Sequence, residues 1–287
     1  HIHWLRTRPE TGLGVEPEAL EELCERDPAR PRLLILNSPS NPTGHCYSPE
    51  QLQAIAEVLR KYRVLALSDE IYSGTHYTDS HQSLARYYPE GTIISNGLSK
   101  WCGAGGWRLG FFVFPKSLAW LADSMAAVAS ETFTATSAPI QYAAVDALED
   151  RPEMTTYLQH SREVLSALAS YAYRTLSQAG AVLSPAAGGF YLFPRFESRR
   201  SGLAPRGIED GPTFCERMLE ETGVAALPGN CFGRPTRELS LRMAIVDFDG
   251  GNALAQATKA PVDEAFIKQH CSRVTTAVDR MAEWAAS

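Results

Sequence analysis

The sequence predicts an α/β fold, a three-layer sandwich in which helices cover both faces of a mostly parallel sheet. A smaller C-terminal α+β domain is expected to follow. Two observations support this prediction. Short, continuous apolar segments alternate with helix-like segments through the first part of the chain, and such strands are typical of parallel sheets buried on both faces. Beyond about residue 150 the strand-like segments become shorter and lie between long helices, as in a separate α+β domain.

The elements of the first predicted domain, residues 1–149, follow in order. A helix is expected over residues 17–26. A second is expected over residues 48–62, where Ser48 suits the N-cap and Pro49 the first turn. Two more helices are expected between residues 117 and 149, the second as a long connector. Apolar strands are expected at residues 32–37, 64–67, 92–95 and 109–114.

The second predicted domain covers residues 150–287. It is expected to begin with a helix over residues 155–180 and to end with a single helix over residues 262–284. Residues 247–261, rich in Gly, Pro and Asp, are expected to form a surface loop. Short strands are expected at residues 181–183, 189–196, 224–227 and 239–245.

The composition of the chain excludes several classes of function. The chain has 287 residues, 44% hydrophobic and 21% charged, with a formal net charge of −6, which is typical of a folded globular protein and excludes general disorder. The mild acidic excess argues against nucleic acid as the main partner. No stretch reaches the ~18 apolar residues that a membrane helix needs. Six cysteines without CxxC spacing and seven scattered histidines predict free thiols, a cytoplasmic location and no metal site.

Polar residues follow the predicted strands at the point where each one ends. Asn41 comes after the first strand, Asp69 after the second and Lys100 after the third. Ligands of open parallel sheets bind at the carboxyl ends of the strands. The sequence therefore predicts a binding site that contains these three residues.

Lys100 lies in the segment NGLSKWCGAGGWRLG. It could be an ordinary lysine at a helix start, or an amine that forms a Schiff base. Arg108 follows three glycines, which allow close approach of the backbone to a ligand, and a guanidinium suits a phosphate.

Asp69 also has more than one interpretation. It could cap a helix, or it could pair with a protonated ring nitrogen near Tyr72. The acid of a phosphate-hydrolysing ATPase is excluded because the chain has no GxxxxGK[ST] loop. A serine-hydrolase elbow of the form GxSxG is also absent.

Taken together, these motifs resemble the class I/II aminotransferase family of fold-type-I enzymes that depend on pyridoxal 5′-phosphate. The lysine segment fits the family signature at every fixed position. The similarity continues into the C-terminal part of the chain. The matching segments are SPSNPTG, SDEIY, SNGLSKWCGAGGWRLG, GGFYLFPRF, VAALPG and LSLRMAI.

This resemblance implies a role for each candidate residue. Lys100 would form the Schiff base with the cofactor and shuttle a proton. Asp69 would pair with the pyridine nitrogen. Asn41 and Tyr72 would hydrogen-bond the 3′-oxygen of the ring. Arg108 would bind the phosphate, and Arg242 would clamp the α-carboxylate of an amino acid or 2-oxo acid substrate.

The chain departs from the family pattern in two places. Many relatives carry a serine where this sequence has Gly97. The SPSNPTG segment also begins unusually early, so residues 1–149 are expected to be the later part of the cofactor domain, without its N-terminal strands. We therefore expect a fragment with little transaminase activity and weak cofactor retention, and a homodimer for the full-length protein.

The same motifs leave two alternatives open. A lyase of this fold would share all of them, because the choice of reaction depends on pocket residues elsewhere. An aminotransferase-like effector domain of a transcription regulator would also share them. The sequence does not identify the amino acid or oxo acid.

Overall fold

The computed structural model of the protein describes residues 2–77 and 81–287 and contains two sheets. In the first sheet β1, β2 and β3 are parallel, and β4 pairs with β3 in the antiparallel direction. The mostly parallel first sheet and a smaller antiparallel second sheet confirm the predicted fold class. The strands of the first sheet, in spatial order, are β1 (Leu33–Asn37), β2 (Leu65–Asp69), β3 (Thr92–Gly97) and β4 (Gly110–Val113).

Helices α1 (Pro17–Glu25) and α2 (Pro49–Lys61) pack on one face of this sheet through a single apolar cluster. Helix α2 begins where the sequence predicts, because Ser48 and Gln51 form a reciprocal capping box. The sequence predicted helices on both faces, but Leu33 and Ile35 on the opposite face of β1 are 54% and 64% exposed. In the sequence, an exposed apolar strand residue looks the same as a buried one, because composition does not show what covers a strand.

Three helices connect the two sheets: α3 (Ala119–Thr132), α4 (Ala138–Leu148) and α5 (Pro152–Gln178). Helix α4 packs against apolar residues of the lysine motif itself, among them Leu98 and Leu109, whereas α3 has no buried residue. The sequence predicted that the second helix between residues 117 and 149 would be the long connector. That helix, α4, has 11 residues, and the long helix is α5, with 27 residues. Helix α4 ends at Leu148, and α5 begins separately at Pro152, since proline is favoured in the first turn of a new helix.

The second sheet has the spatial order β5, β7, β6, and it packs with the helices around it into the largest apolar cluster. Its strands are β5 (Tyr191–Leu192), β6 (Leu227–Pro228) and β7 (Leu241–Ala244). Its helices are α6 (Arg200–Leu203), α7 (Gly211–Thr222), α8 (Gly250–Ala257), α9 (Glu264–His270) and α10 (Ser272–Ala286).

Three expectations for this part were wrong. The predicted strand 181–183 is a single bridge between Val182 and Arg195. The predicted loop 247–261 contains α8, whose first turn is capped by the Asp249 side chain. The predicted final helix is broken at Cys271, which leaves the helical conformation at φ −126°.

No helix in residues 2–77 and 81–287 has the length and apolar character needed to cross a lipid bilayer.

Candidate active site

The ends of β1 and β2 are joined by side-chain hydrogen bonds. Asn37 pairs with Asp69 in the sheet, and its Nδ2 donates to the Asp69 carbonyl oxygen at 2.9 Å. The Asn41 backbone N–H donates to Asn37 Oδ1 at 2.6 Å. Asn37 therefore fixes Asn41 beside the end of β2. Sequence reasoning missed Asn37, although its place as the last residue of a predicted strand was a usable signal.

The turn that follows β1 rests directly on the segment before β5. Gly44 has a positive φ of 70°, and a Cβ placed there would lie 2.6 Å from Ala186 Cβ. The Ala187 N–H donates to the Gly44 carbonyl oxygen at 2.8 Å. Glycine is therefore needed in this turn for its conformation and for the close approach. The contact brings the polar end of the first sheet against the second sheet.

Asp69 is a half-buried carboxylate at the end of β2. Its Oδ1 accepts a hydrogen bond from the Ile71 N–H at 3.3 Å. Burial raises the pKa of Asp69, and that hydrogen bond opposes the shift only in part. Within the described residues, no Lys, Arg or His lies within ion-pair distance of this carboxylate. The described part of the site thus holds a partly desolvated acid without a cationic partner.

Tyr72 lies in the turn after β2 and is 4% exposed. Burial, followed by the interaction with Tyr191, raises the pKa of the Tyr72 hydroxyl far above its usual value, while the Asn41 side chain opposes this rise. The Tyr72 ring makes edge contacts with Phe190 and Tyr191, with ring centres 5.4 and 6.0 Å apart. Tyr72, in a turn of the first sheet, therefore contacts a residue of the second sheet.

Lys100 lies three residues after β3 and is half-buried. Its Nζ is 5.9 Å from the Tyr72 ring centre and 6.0 Å from the Phe190 ring centre. These distances fall within the range of cation–π attraction. The amine therefore lies at the junction of the two sheets rather than in free solvent.

Arg242 projects from β7 toward the same junction. Its Nη1 donates to Asn41 Oδ1 at 3.0 Å. Its Cζ lies 4.4 Å from the Tyr191 ring centre and 5.0 Å from the Phe232 ring centre. Its Nε is buried, and no hydrogen-bond acceptor for it is found among the residues that the structure describes. A buried donor without a partner is costly, so this atom marks a place that suits an anionic ligand.

Arg108 is the predicted site residue that this cluster does not include. It is exposed, has a left-handed φ of 56°, and donates from Nη1 to the Gly105 carbonyl oxygen at 2.7 Å. None of its contacts in the described part of the chain involves the other five predicted residues. The structure thus joins Asn41, Tyr72, Lys100 and Arg242 directly, and Asp69 through Asn37.

Three aromatic residues of the cluster were missed by sequence reasoning: Phe190, Tyr191 and Phe232. The first two lie in the segment GGFYLFPRF, which was matched to the family without a role for individual side chains. The contact of Phe190 with Lys100 depends on how the two sheets meet, and the contact of Tyr191 with Arg242 depends on the register of the second sheet. A buried aromatic pair in a strand is otherwise most often part of a core.

Glu70, next to Asp69, holds a separate polar network. Its carboxylate is 5% exposed and accepts hydrogen bonds from the hydroxyls of Ser68 at 2.9 Å and Ser83 at 2.6 Å. His81 Nε2 lies 3.0 Å from the same carboxylate. Burial alone would raise the pKa of Glu70, but the contacts with His81 and Ser83 hold it below the usual value.

Across residues 2–77 and 81–287, no three His, Cys, Asp or Glu side chains are grouped closely enough to hold a metal ion.

Comparisons with known proteins identify the family of this chain. Residues 2–249 match the family described as aminotransferase class I and II. An aspartate aminotransferase of Geobacillus stearothermophilus is 35% identical over 220 residues, which cover 75% of this chain and 54% of that protein. An aspartate/prephenate aminotransferase of Thermus thermophilus is 31% identical over 252 residues, which cover 85% of this chain and 62% of that protein.

Solved structures give the same result. The fold is similar to that of an aromatic aminotransferase from Pyrococcus horikoshii, with a TM-score of 0.78 and 27% identity, over 98% of this chain and 66% of that one. It is also similar to a Thermus thermophilus aspartate aminotransferase double mutant, with a TM-score of 0.76 and 27% identity, over 97% of this chain and 63% of that one. The chain thus spans 54% and 62% of the length of the two curated relatives named above.

Proposed function

Because this chain belongs to the aminotransferase class I and II family, we propose that it carries part of the active site of an aminotransferase that depends on pyridoxal 5′-phosphate. The reaction would move an amino group between an amino acid and a 2-oxo acid. The observation that carries the proposal is the buried Nε of Arg242, which has no hydrogen-bond partner among the described residues and lies within the cluster that also holds Lys100. A fixed guanidinium with a free donor suits a substrate carboxylate.

The residues present fit the cofactor on chemical grounds. The half-buried Asp69 carboxylate has no cationic partner in the described residues, and its raised pKa reflects that unbalanced burial. A protonated pyridine nitrogen would supply the missing positive charge. Asn41 and the Tyr72 hydroxyl suit an oxygen substituent on the same ring. Lys100 provides the amine that could attach to an aldehyde.

The proposed roles divide between the cofactor and the substrate. When bound, pyridoxal phosphate supplies an electron sink for bonds at the substrate Cα. Lys100 would hold and move the proton at that carbon. Arg242 would orient the substrate through its carboxylate. Arg108 would contribute to phosphate binding, which requires its side chain to leave the Gly105 carbonyl oxygen.

The wider organisation of the protein belongs to the same proposal. We place the division between the cofactor-binding part and the small C-terminal domain at residues 149 and 150, before α5. A homodimer and a cytoplasmic location are also proposed. The location is supported by six cysteines that form no disulfide with one another in the structure.

The lysine assignment can be tested without an activity assay. The 287-residue chain is mixed with pyridoxal phosphate and reduced with borohydride, which fixes any Schiff base, and the labelled peptide is located by mass spectrometry. We expect the label on Lys100 and its loss in Lys100→Ala. Lys116→Ala, an exposed lysine after β4, is the matched control. Labelling that persists in Lys100→Ala at the wild-type level would overturn the assignment.

The type of reaction needs product analysis. A panel of amino acids is offered to the protein with and without 2-oxo acids. We expect amino transfer that requires the oxo acid, at a low rate because the chain spans only 54% and 62% of the length of the two curated relatives. Release of ammonia and pyruvate without an oxo acid would instead identify a lyase.

A further inference from the structure

Tyr191 lies at the point where the two halves of the site meet. It is 9% exposed and lies on β5, where it pairs with Ala244 of β7. Arg242 is two residues from Ala244 along β7, so Tyr191 and Arg242 are diagonal neighbours on the same face of the sheet. Side chains at such positions are within reach of one another. The register of the second sheet therefore places this ring beside the proposed substrate-binding guanidinium.

The Tyr191 ring forms one wall of a slot that holds Arg242. The guanidinium carbon lies 4.4 Å from the Tyr191 ring centre and 5.0 Å from the Phe232 ring centre. A guanidinium that stacks on ring faces keeps its N–H groups free at the edge. One of these groups already donates to Asn41, and Nε has no partner in the described residues. The rings thus set the plane in which the free donor points.

Tyr191 also contacts a second group of the site. Its ring meets the Tyr72 ring edge to face, with centres 6.0 Å apart, and the interaction with Tyr191 contributes to the raised pKa of the Tyr72 hydroxyl. Tyr72 belongs to the turn after β2, whereas Tyr191 belongs to the second sheet. A single buried side chain therefore contacts both the proposed carboxylate-binding residue and the proposed cofactor-binding tyrosine.

We propose that Tyr191 is a positioning residue for this site, whose ring fixes the plane of Arg242 and whose hydroxyl fixes Tyr72. The inference rests on the proposed function in naming a carboxylate substrate and a cofactor oxygen as the groups that Arg242 and Tyr72 meet. The two proposed roles belong to different parts of one side chain, so they can be separated by substitution. Tyr191→Phe keeps the ring and removes the hydroxyl. Tyr191→Leu removes both.

The ring contact is tested by nuclear magnetic resonance of the 287-residue chain. The Arg242 Nε–H signal is assigned by its loss in Arg242→Lys. We expect Tyr191→Phe to retain its position, and Tyr191→Leu to shift it and speed its exchange with water. Tyr142→Leu, an exposed tyrosine on α4, controls for the loss of a tyrosine. An unchanged Arg242 signal in a folded Tyr191→Leu variant would overturn the role of the ring.

The hydroxyl contact has its own measurement. The ring ¹³Cζ signal of Tyr72 is assigned by its loss in Tyr72→Phe. We expect Tyr191→Phe to shift this signal, because the neighbouring hydroxyl is removed, and Tyr142→Phe to leave it in place. Thermal unfolding of each variant identifies any that fails to fold. A Tyr72 signal that does not respond to Tyr191→Phe would refute the role of the hydroxyl.

Ligand binding connects the inference to function. With 2-oxoglutarate as the probe in calorimetry, we expect Tyr191→Leu to weaken binding about tenfold and Tyr191→Phe by less than about twofold, as loss of a desolvated cation–π contact predicts. If the wild-type chain and Arg242→Lys both fail to bind the oxo acid, the proposed function loses its support. The Arg242 and Tyr72 signals still decide the positioning role in that case.

Discussion

Arg242 Nη1 donates a 3.0 Å hydrogen bond to Asn41 Oδ1, although 201 positions separate the two residues in the chain. The bond joins the turn after β1 to β7 and so links the two sheets. It also holds the guanidinium in place before any substrate arrives. A prepositioned donor reduces the ordering that binding must impose on the site.

Asn41→Ala removes the acceptor of this bond and should reduce the free energy of unfolding by about 1–3 kcal/mol, because hydrogen bonds to charged groups contribute at this scale. Urea denaturation followed by circular dichroism measures the change. Gln53→Ala, an exposed amide on α2, is the matched control and should change stability by less than about 0.5 kcal/mol. Equal effects of the two substitutions would show that the bond between Arg242 and Asn41 contributes little.

Asp69→Asn should stabilise the cofactor-free chain at neutral pH. Burial raises the pKa of Asp69 above its ordinary value of 3.8. The contribution of this group to folding is therefore complete below pH 3.8 and is lost as the pH rises through the raised value. Denaturation at pH 3 and pH 7 should show a gain in Asp69→Asn only at the higher pH. Asp123→Asn on the exposed face of α3 serves as the control, and a gain of equal size at both pH values would contradict the argument.

Glu70→Gln is expected to act in the opposite direction. The contacts with Ser83 and His81 hold the pKa of Glu70 below its ordinary value of 4.5. Its contribution is therefore present above pH 4.5 and is lost as the pH falls through the lowered value. We expect Glu70→Gln to cost about 1–3 kcal/mol at pH 7 and progressively less in acid. The exposed Glu57→Gln on α2 is the comparison, and a cost that does not depend on pH would exclude the charge as its cause.

Gly97→Ser tests whether the structure tolerates a side chain at the position where the family resemblance implies a serine. Gly97 pairs with Gly110, and a Cβ at Gly97 would lie 2.7 Å from the Leu109 carbonyl oxygen and 3.0 Å from Gly110 Cα. Backbone atoms of a paired strand yield poorly, so we expect a loss of about 1–3 kcal/mol. Gly106→Ala should cost less, because no described residue other than its chain neighbours has a heavy atom within 4 Å of the added Cβ. A fully stable Gly97→Ser would mean that β4 can shift away from β3.

Much of the first sheet could be predicted because its signals are local. An apolar segment of strand length followed by polar residues identifies β1, β2 and β3 from neighbouring residues alone. Their boundaries were less exact: the predicted strand 64–67 is observed at Leu65–Asp69, since pairing with neighbours continues after the apolar residues end. Helix α8 was missed because glycine-rich sequence favours a loop, while the Asp249 cap supports a helix.

The sequence by itself determined the family, the order of the motifs and the types of chemical group that the site holds. These depend on residue identities at fixed spacings. Only the tertiary structure decided that Arg242 meets Asn41, that Tyr191 connects Arg242 with Tyr72, and that Arg108 lies outside this cluster. These relationships join residues far apart in the chain, and they depend on the register of the second sheet and on its approach to the first. Hydrophobic periodicity carries no information on either, because the same pattern of buried and exposed positions is compatible with many ways of packing two sheets.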